Sequence, residues 1–220
     1  MCVGLHEPSP ERDEYLLDTP VVRDFIAGVR GEMAAAESPA AAIGRIKPAF
    51  ARLLEDKAWL PQEFRSPAPE SGMGGSIGQY LIFRSGTGED GDLSLFSLVV
   101  PPGSETPVHD HLAWGLIGLY AGEQAETVYA RTDNASPVSE REALSVTLTR
   151  EISRGDFYPL IPPEDDIHRV RTTSQGSSVS IHLLAGDTGC IWRHAYSPET
   201  GEVKPFRSGY VNRECETQPL

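Results

Sequence analysis

Nine short runs rich in β-branched and aromatic residues follow one another from Gly75 onward, and they constrain the fold more than any other feature of the chain. Each run spans about five to eight residues, and Gly, Pro, Asp or Ser separates it from the next. In order, the runs are GQYLIF, LSLFSLVV, AWGLIGLY, AETVYA, ALSVTL, DFYPLI, IHRVRTT, SVSIHLLA and GCIWRHAY. The intervals leave little room for helices, so this pattern predicts a mainly β fold, an antiparallel sandwich or barrel.

The region before these runs predicts helices instead. Thr19-Pro20 has the form of an N-cap followed by proline at the first helical position, and apolar residues then recur at helical spacing as far as Met33. A second segment over 40–59 has the same spacing, and Pro48 is a candidate interruption of it.

The length of 220 residues is that of one domain. We expect a single domain over residues 1–220, with an N-terminal helical segment at 12–62 and a β-barrel at 75–212. The polar tail after Tyr210 is expected to be loosely held.

Charge and composition exclude some classes of protein. The chain has 19 Lys and Arg against 32 Asp and Glu, a formal net charge of −13, so it repels phosphate backbones and no nucleic-acid partner is expected. No apolar run is long enough to cross a bilayer, and the N-terminus lacks the basic start and apolar stretch of a secretory signal. We therefore expect a cytoplasmic protein with no membrane partner.

The cysteines support the same expectation. Cys2, Cys190 and Cys215 are an odd number, far apart, with no closely spaced pair. This usage favours a reducing compartment, without disulfides and without a thiolate zinc site. Cys190 is then expected to be an unpaired packing residue.

His109 and His111 form the most informative motif. In an extended strand, residues i and i+2 point to the same side, so this pair can present two imidazoles to one point. Neutral imidazole suits Fe, Ni, Cu and Zn. Two such histidines can equally face solvent or pack in a core, and the spacing by itself does not decide between these alternatives.

The surrounding glycines and a third histidine make the pattern more specific. Gly103, His109, His111, Gly115 and Gly122 have the spacing of the first motif of the cupin superfamily, with Gly115 where many cupins have a glutamate ligand. His168, five residues after Pro163, resembles the second cupin motif. The resemblance implies a cupin double-stranded β-helix, or jelly-roll barrel, with N-terminal α-helices and a metal inside the barrel mouth.

A site of three neutral histidines leaves the full +2 charge on a divalent metal, which favours an anionic, chelating substrate such as a thiolate. Three histidines also bind zinc in hydration enzymes, and the spacing does not choose between iron and zinc.

Ser180, His182 and the terminal KPFRSGYVN are similar to the thiol dioxygenase branch of cupins, which comprises cysteine dioxygenase and the more similar bacterial 3-mercaptopropionate dioxygenases. The likeness extends from about Gly75 to Asn212. It implies an Fe(II) enzyme that uses O2 to convert a small thiol to a sulfinate.

Residue roles follow from the same resemblance. His109, His111 and His168 are the expected iron ligands. Ser180 and His182 match the first two members of a Ser-His-Tyr network around the metal. Arg193 is expected to hold the substrate carboxylate, and Gln79 matches a glutamine of the mercaptopropionate branch.

One departure concerns the third member of the network, a tyrosine in the family and Leu184 here, which cannot donate a hydrogen bond. Either Tyr196, Tyr158 or Tyr210 substitutes, or the oxygen chemistry is tuned differently, or the substrate is larger.

Non-catalytic interpretations also remain at this point. His182 could be a core histidine bonded to Ser180, Arg193 a solvated charge, and Asp165 or Asp166 a further metal ligand. At the level of function, the alternatives are a cupin metalloenzyme of other chemistry, such as a non-thiol dioxygenase or a lyase, and a non-catalytic ligand-binding cupin.

Overall fold

The computed structural model describes residues 13–86, 93–132 and 138–215. Within these ranges the chain forms two α-helices, α1 (Pro20–Ala34) and α2 (Pro39–Glu55), and a 3₁₀ helix at Gln62–Arg65. The strands are β1 (Glu14–Tyr15), β2 (Gly78–Arg84), β3 (Ser94–Val100), β4 (Val108–His109), β5 (Gly115–Ala121), β6 (Glu123–Arg131), β7 (Leu144–Ser153), β8 (Phe157–Leu160), β9 (Ile167–Thr172), β10 (Ser178–Leu184), β11 (Arg193–Tyr196) and β12 (Val203–Phe206).

The strands form two antiparallel sheets of six strands each. Sheet A has the order β1-β2-β3-β10-β5-β8, and sheet B has the order β12-β11-β4-β9-β6-β7. From β3 to β11 every connection crosses from one sheet to the other, except the one between β6 and β7, which pair within sheet B. This repeated crossing is the jelly-roll topology, and the predicted mainly β fold with N-terminal helices is confirmed.

The two helices begin where the sequence predicts. Thr19 Oγ1 accepts a hydrogen bond from the Val22 amide (3.3 Å) at the start of α1, and Ser38 caps α2 in the same way. The candidate interruption at Pro48 is wrong, because α2 runs through it. Pro48 lies on the exposed side of the helix, where water can hydrate the carbonyl that loses its hydrogen bond. Neither helix is long and apolar enough to span a membrane, and the same holds for the rest of the described chain.

Sheet A is buried on both faces, which explains the nearly continuous apolar runs of β3 and β10. On β10, Val179, Ile181 and Leu183 pack into a cluster that includes both helices. The alternate residues, Ser180, His182 and Leu184, point to the other face because successive side chains of a strand alternate. The helices therefore cover the outer face of sheet A. Its inner face, which points toward sheet B, carries Ser180 and His182.

The segment after β12 is held more firmly than the sequence predicts. The Asn212 side chain accepts from the Leu81 amide (2.9 Å) and donates to the Leu81 carbonyl (2.9 Å). Cys215 forms a disulfide with Cys190. The expectations of a loose tail and of an unpaired Cys190 are therefore wrong for this part of the chain. Because Cys190 and Cys215 are paired, the cysteines no longer support the expectation of a reducing compartment.

Candidate metal centre

Three histidines converge between the two sheets. His109 ends β4, His111 lies two residues beyond it, and His168 lies on β9 directly opposite His109. The possible ligand atoms of the three side chains all lie within 4.8 Å of one another, and all three residues are buried. The structure thus brings the three predicted ligands to one point, where they can hold a metal ion.

Each of these imidazoles has a hydrogen-bond partner on its Nδ1 atom. For His109 the partner is the Pro107 carbonyl (2.9 Å), and for His111 it is the Asp166 carbonyl (3.2 Å). For His168 it is the carboxylate oxygen Oε1 of Glu126 (2.6 Å). With Nδ1 occupied on every ring, Nε2 remains as the free ligand atom, as expected for histidines around a metal.

The electrostatic environment keeps the His109 and His111 rings neutral. Burial, reinforced by neighbouring histidines and by Arg193, lowers the pKa of His109 and of His111 well below the usual value. Metal binding requires an unprotonated imidazole, so these two ligands fit a divalent transition metal without an energetic cost for removing a proton.

Asp166 acts beside the site rather than in it. Its carboxylate accepts hydrogen bonds from the backbone amides of His111 (2.9 Å) and Leu112 (3.2 Å). These bonds fix the turn in which His111 lies, where Leu112 has a φ of 56°. The carboxylate is thus engaged with the backbone, and it orients a ligand instead of serving as one.

Glu126 is a site residue that sequence reasoning missed. It lies on β6 and is fully buried; besides His168 it is bonded to Arg150 Nε (2.5 Å) and to Tyr158. Burial alone would raise the pKa of Glu126, but the bonds to His168, Tyr158 and Arg150 outweigh it and lower the pKa to about 2. The only sequence signal is an acidic residue at an inward-facing position of the predicted strand AETVYA.

Ser180 and His182 are adjacent on the inner face of sheet A, with Ser180 Oγ 2.9 Å from His182 Nε2. The His182 ring stacks on Phe96 at a centroid distance of 4.7 Å and lies 6.4 Å from the His111 ring. Its Nδ1 atom is buried and has no hydrogen-bond partner among the described residues. Burial, together with the neighbouring His111, His168 and Arg193 side chains, lowers the pKa of His182 well below the usual value.

None of the three candidate phenols hydrogen-bonds to His182 in the described structure. Tyr158 bonds to Glu126, Tyr196 to Asp110 (3.0 Å), and Tyr210 to Asp187 (2.7 Å). Leu184 is itself fully buried in the apolar cluster of the inner face. This site therefore has a Ser-His pair without a phenol on it.

Arg193 begins β11 and is only 4% exposed. Its guanidinium donates to the carbonyls of Thr188 (3.1 Å) and Asp110 (2.6 Å) and to Ser208 Oγ (2.9 Å), all uncharged acceptors. Burial lowers the pKa of Arg193 to about 10, so it still carries its charge at neutral pH. A buried cation whose partners are neutral provides a binding site for an anion.

Ser208 connects two of the predicted substrate residues. Its Oγ accepts from Gln79 Nε2 (3.1 Å) as well as from Arg193. Sequence reasoning missed Ser208 as a site residue, although it lies within the conspicuous terminal segment KPFRSGYVN. Its position opposite Gln79 depends on a contact between residues that are far apart in the chain.

A small cavity joins these groups. Its wall includes His109, His111, His182, Arg193, Gln79 and Ser208. An outer pocket of about 450 Å³ shares Met73, Gln79 and Ser208 with that wall and is otherwise bordered by residues 67–72 and by the segment after β12. Two of the predicted ligands, His182 and both predicted substrate residues therefore border one space, whereas His168 and Ser180 are not part of its wall.

A jelly roll with three histidines converging inside it defines the class of metal-binding cupins. A family model described as cysteine dioxygenase type I matches residues 30–202. The match covers most of the chain, and the protein belongs to this family. Membership indicates a cysteine dioxygenase-like oxygenase.

Solved structures with a similar fold come from varied proteins. Peruvianin-I, a cysteine peptidase from Thevetia peruviana latex, is 18% identical, with a TM-score of 0.41 over 60% of this chain and 73% of that chain. The Cnp3 cupin domain of Schizosaccharomyces pombe is 13% identical, with a TM-score of 0.37 over 55% and 68%. An oxalate decarboxylase from Lactobacillus farciminis, solved as a formate complex, is 14% identical, with a TM-score of 0.33 over 43% of this chain and 24% of that one. This chain thus matches about a quarter of the decarboxylase, and such distant likenesses do not bear on activity.

Proposed function

We propose that the protein is an Fe(II)-dependent thiol dioxygenase that oxidises a small carboxylated thiol, 3-mercaptopropionate- or cysteine-like, to its sulfinate. Both atoms of O2 would enter the product, so that RSH and O2 give RSO2H. The observation that carries the proposal is the buried Arg193 guanidinium, which borders the same small cavity as His109 and His111 and whose hydrogen-bond partners among the described residues are all neutral groups.

The donor set supports iron. Three neutral imidazoles with free Nε2 atoms suit a divalent transition metal, and they leave its charge uncancelled for an anionic substrate. Fe(II) held by His109, His111 and His168 would supply the redox chemistry and the open coordination positions that bring a thiolate and O2 together.

The residues around Arg193 favour a carboxylate. Three of the five N–H groups of Arg193 donate to Thr188, Asp110 and Ser208, so one N–H on each terminal nitrogen remains for a carboxylate, whose two oxygens it matches better than a point charge does. Ser208 Oγ already accepts hydrogen bonds from Arg193 and Gln79, so its own proton is available to a further acceptor. Fixing the carboxylate here orients the thiol at the other end of the substrate toward the histidines.

The cavity wall also favours a substrate without an ammonium group. It contains the cation Arg193 and several hydrogen-bond donors, and no Asp or Glu side chain is among the described residues of the wall. The α-ammonium of cysteine would find no ionised partner there, whereas 3-mercaptopropionate has no such group. This supports 3-mercaptopropionate as the better substrate of the two.

His182 is placed in this mechanism as a neutral ring on the wall of the cavity. Ser180 holds one nitrogen and Phe96 holds the face of the ring, so the ring orientation is fixed. The unpaired Nδ1 atom is then available to hydrogen-bond to a bound reactant. Because no phenol bonds to this pair among the described residues, we assign proton exchange with the bound reactant to His182, which is part of the cavity wall.

Oxygen uptake by the iron-loaded protein tests the proposal, with 3-mercaptopropionate, cysteine, cysteamine and mercaptosuccinate as substrates. We expect thiol-dependent uptake with one O2 consumed per sulfinate formed, fastest with 3-mercaptopropionate. A His168→Ala variant loaded in the same way is the matched control and should be inactive. If none of the four thiols supports uptake above that control, the assignment is wrong.

Leu184 favours one rival, a cupin metalloenzyme of other chemistry, because it removes the phenol of the thiol dioxygenase network. Metal analysis of protein purified without added metal separates the two. Stoichiometric iron supports the thiol dioxygenase, and nickel or zinc supports the rival. A site that takes up no divalent metal at all would instead indicate a non-catalytic ligand-binding cupin.

A further inference from the structure

We propose that Glu126 is a positioning residue of the metal centre, which supplies through His168 the negative charge that the ligand set itself lacks. The proposal rests on metal binding at the three histidines and not on the identity of the thiol. It concerns a carboxylate that touches one ligand and no substrate-facing surface, since Glu126 is fully buried.

The three ligands differ in their outer partners. Carbonyl oxygens accept from His109 and His111, whereas an ionised carboxylate accepts from His168 over a distance of 2.6 Å. A carboxylate on Nδ1 fixes the tautomer that leaves Nε2 unprotonated, and it makes that nitrogen a stronger electron donor. His168 is therefore the ligand whose electron donation a carboxylate strengthens.

The sheet brings Glu126 to this position. β6 and β9 are paired, with Val128 opposite His168 and Glu126 opposite Val170. Glu126 is thus the diagonal neighbour of His168 on the same face of sheet B, within reach of a long side chain. This register fixes the contact, and a shift of one residue would turn Glu126 to the outside of the barrel.

The chain maintains the buried carboxylate with two further residues. Arg150 lies directly opposite Glu126 on β7 and bonds to Oε2 (2.5 Å), and Tyr158 on β8 donates a further hydrogen bond. An ionised group in a barrel interior is costly unless it is fully paired. The Oε2 atom of Glu126 pairs with the Arg150 guanidinium, which leaves Oε1 to accept the hydrogen bond from His168.

Gly115 shows why the charge has to come from outside the ligand set. A Cβ atom at this position would overlap the carbonyl oxygen of Leu183 and the backbone of Leu184. The backbone of β10 thus excludes any side chain at the position where many cupins have a glutamate ligand. Glu126 provides the carboxylate one hydrogen bond further out.

Fe(II) affinity of the apo protein, measured anaerobically by competition with a chromophoric chelator, tests the proposal without any assay of turnover. Glu126→Gln keeps the size of the side chain and removes its charge, so it should weaken Fe(II) binding by about ten- to a hundredfold. The Fe(III)/Fe(II) potential without substrate should rise, because weaker donation favours the reduced ion.

Two further variants separate this role from a merely structural one. Arg150→Gln removes the counter-cation and leaves the bond from Glu126 to His168, so Fe(II) should bind with equal or higher affinity. Glu142→Gln removes a carboxylate that is likewise paired with an arginine, Arg131, but touches no ligand, and it should leave affinity unchanged. Circular dichroism and thermal melting establish that each variant is folded.

The outcomes are distinct. If Glu126→Gln binds Fe(II) as well as Glu142→Gln does, the proposal is overturned. If Arg150→Gln weakens binding as much as Glu126→Gln does, the cluster acts only through packing and the proposal is equally overturned. Should Glu126→Gln fail to fold, Arg150→Gln is compared with Glu142→Gln: an equal or higher Fe(II) affinity supports the proposal, and a lower one overturns it. Failure of thiol oxidation with normal Fe(II) binding would affect the proposed function and not this assignment.

Discussion

At Gly115 the backbone of β10 lies so close that no side chain larger than a hydrogen atom fits. This one position therefore determines whether the ligand set includes a carboxylate. A glutamate there would bring a negative charge directly to the metal, but the Leu183 carbonyl occupies the place of its Cβ. The three remaining ligands are neutral imidazoles. In the proposed function, recognition of the substrate charge falls to Arg193, the buried cation among the described residues of the cavity wall.

Arg193 gives the sharpest prediction at the scale of one residue. Hydrogen bonds to charged groups contribute about 1.5–3 kcal/mol, so Arg193→Gln should raise the KM for 3-mercaptopropionate by roughly ten- to a hundredfold. Ser208→Ala removes a neutral donor and should raise it by about two- to tenfold. Steady-state oxygen uptake measures both effects.

Cysteamine is the matched control for these two variants, because it has a thiol and no carboxylate. Its kinetics should change little in Arg193→Gln and in Ser208→Ala. An equal loss with cysteamine and with 3-mercaptopropionate would show that Arg193 only maintains the fold around Thr188 and Asp110, to which it is bonded.

At the scale of elements, the sequence predicted the features that depend on residues close together in the chain, namely the strands and the face to which each side chain points. The nine β-rich runs correspond to nine strands, and the alternation within SVSIHLLA places Ser180 and His182 together on the inner face. Strands β1, β4 and β12 correspond to none of the nine runs. β1 and β4 have two residues each, too few for a periodic pattern, and the sequence indicated β4 only as the extended setting of His109. Their existence depends on neighbours that are distant in sequence.

Contacts across the fold were the part that the sequence could not predict. The pairing of Cys190 with Cys215, the bridge from Gln79 through Ser208, and the contact of Glu126 with His168 all depend on the register and position of distant segments. Pro48 shows a different limit, because a proline that faces solvent is compatible with a continuous helix.

The Cys190–Cys215 disulfide leads to a prediction for the segment that carries Ser208. It joins the β10–β11 loop to the chain after β12, and Gly209 N also donates to the Gly189 carbonyl (2.8 Å). Because the bond closes a separation of 25 residues, Cys215→Ser should lower the free energy of unfolding by about 3 kcal/mol. The KM for 3-mercaptopropionate should rise as Ser208 becomes less well held.

A double-variant cycle checks that prediction by denaturant unfolding. Cys190→Ser, Cys215→Ser and the double variant should lose similar stability, since any one of them removes the whole bond. A reductant should reproduce the loss in the wild type and have little effect on the variants. Additive losses, or a wild type that reductant leaves unchanged, would contradict the disulfide as a structural element.

At the scale of the whole molecule, sheet A separates two layers of the interior. The outer layer lies between sheet A and the helices, and the inner layer lies between the two sheets. The outer layer joins both helices to Val179, Ile181 and Leu183 of β10 and is purely apolar packing. The inner layer holds the histidines and Arg193. Residues alternate between the two layers along each strand, so stability and metal binding can be altered separately.

Phe50 on α2 tests this separation. It is fully buried, contacts Phe25 and Phe157 as aromatic pairs, and lies against Gly118 of β5 on the helix side of sheet A. Phe50→Ala should lower the free energy of unfolding by about 3–5 kcal/mol, through lost burial and the cavity left behind. For a chain of this length that corresponds to a fall of roughly 10 °C in Tm.

Val21→Ala, at an exposed position of α1, is the matched control and should change stability by less than about 0.5 kcal/mol. Fe(II) affinity of folded Phe50→Ala, measured well below its Tm, should equal that of the wild type, because the strand backbones of sheet A lie between Phe50 and His182. If Fe(II) affinity instead falls in proportion to stability, the two layers act as one unit. The metal centre would then depend on the helices for its geometry and not on the barrel alone.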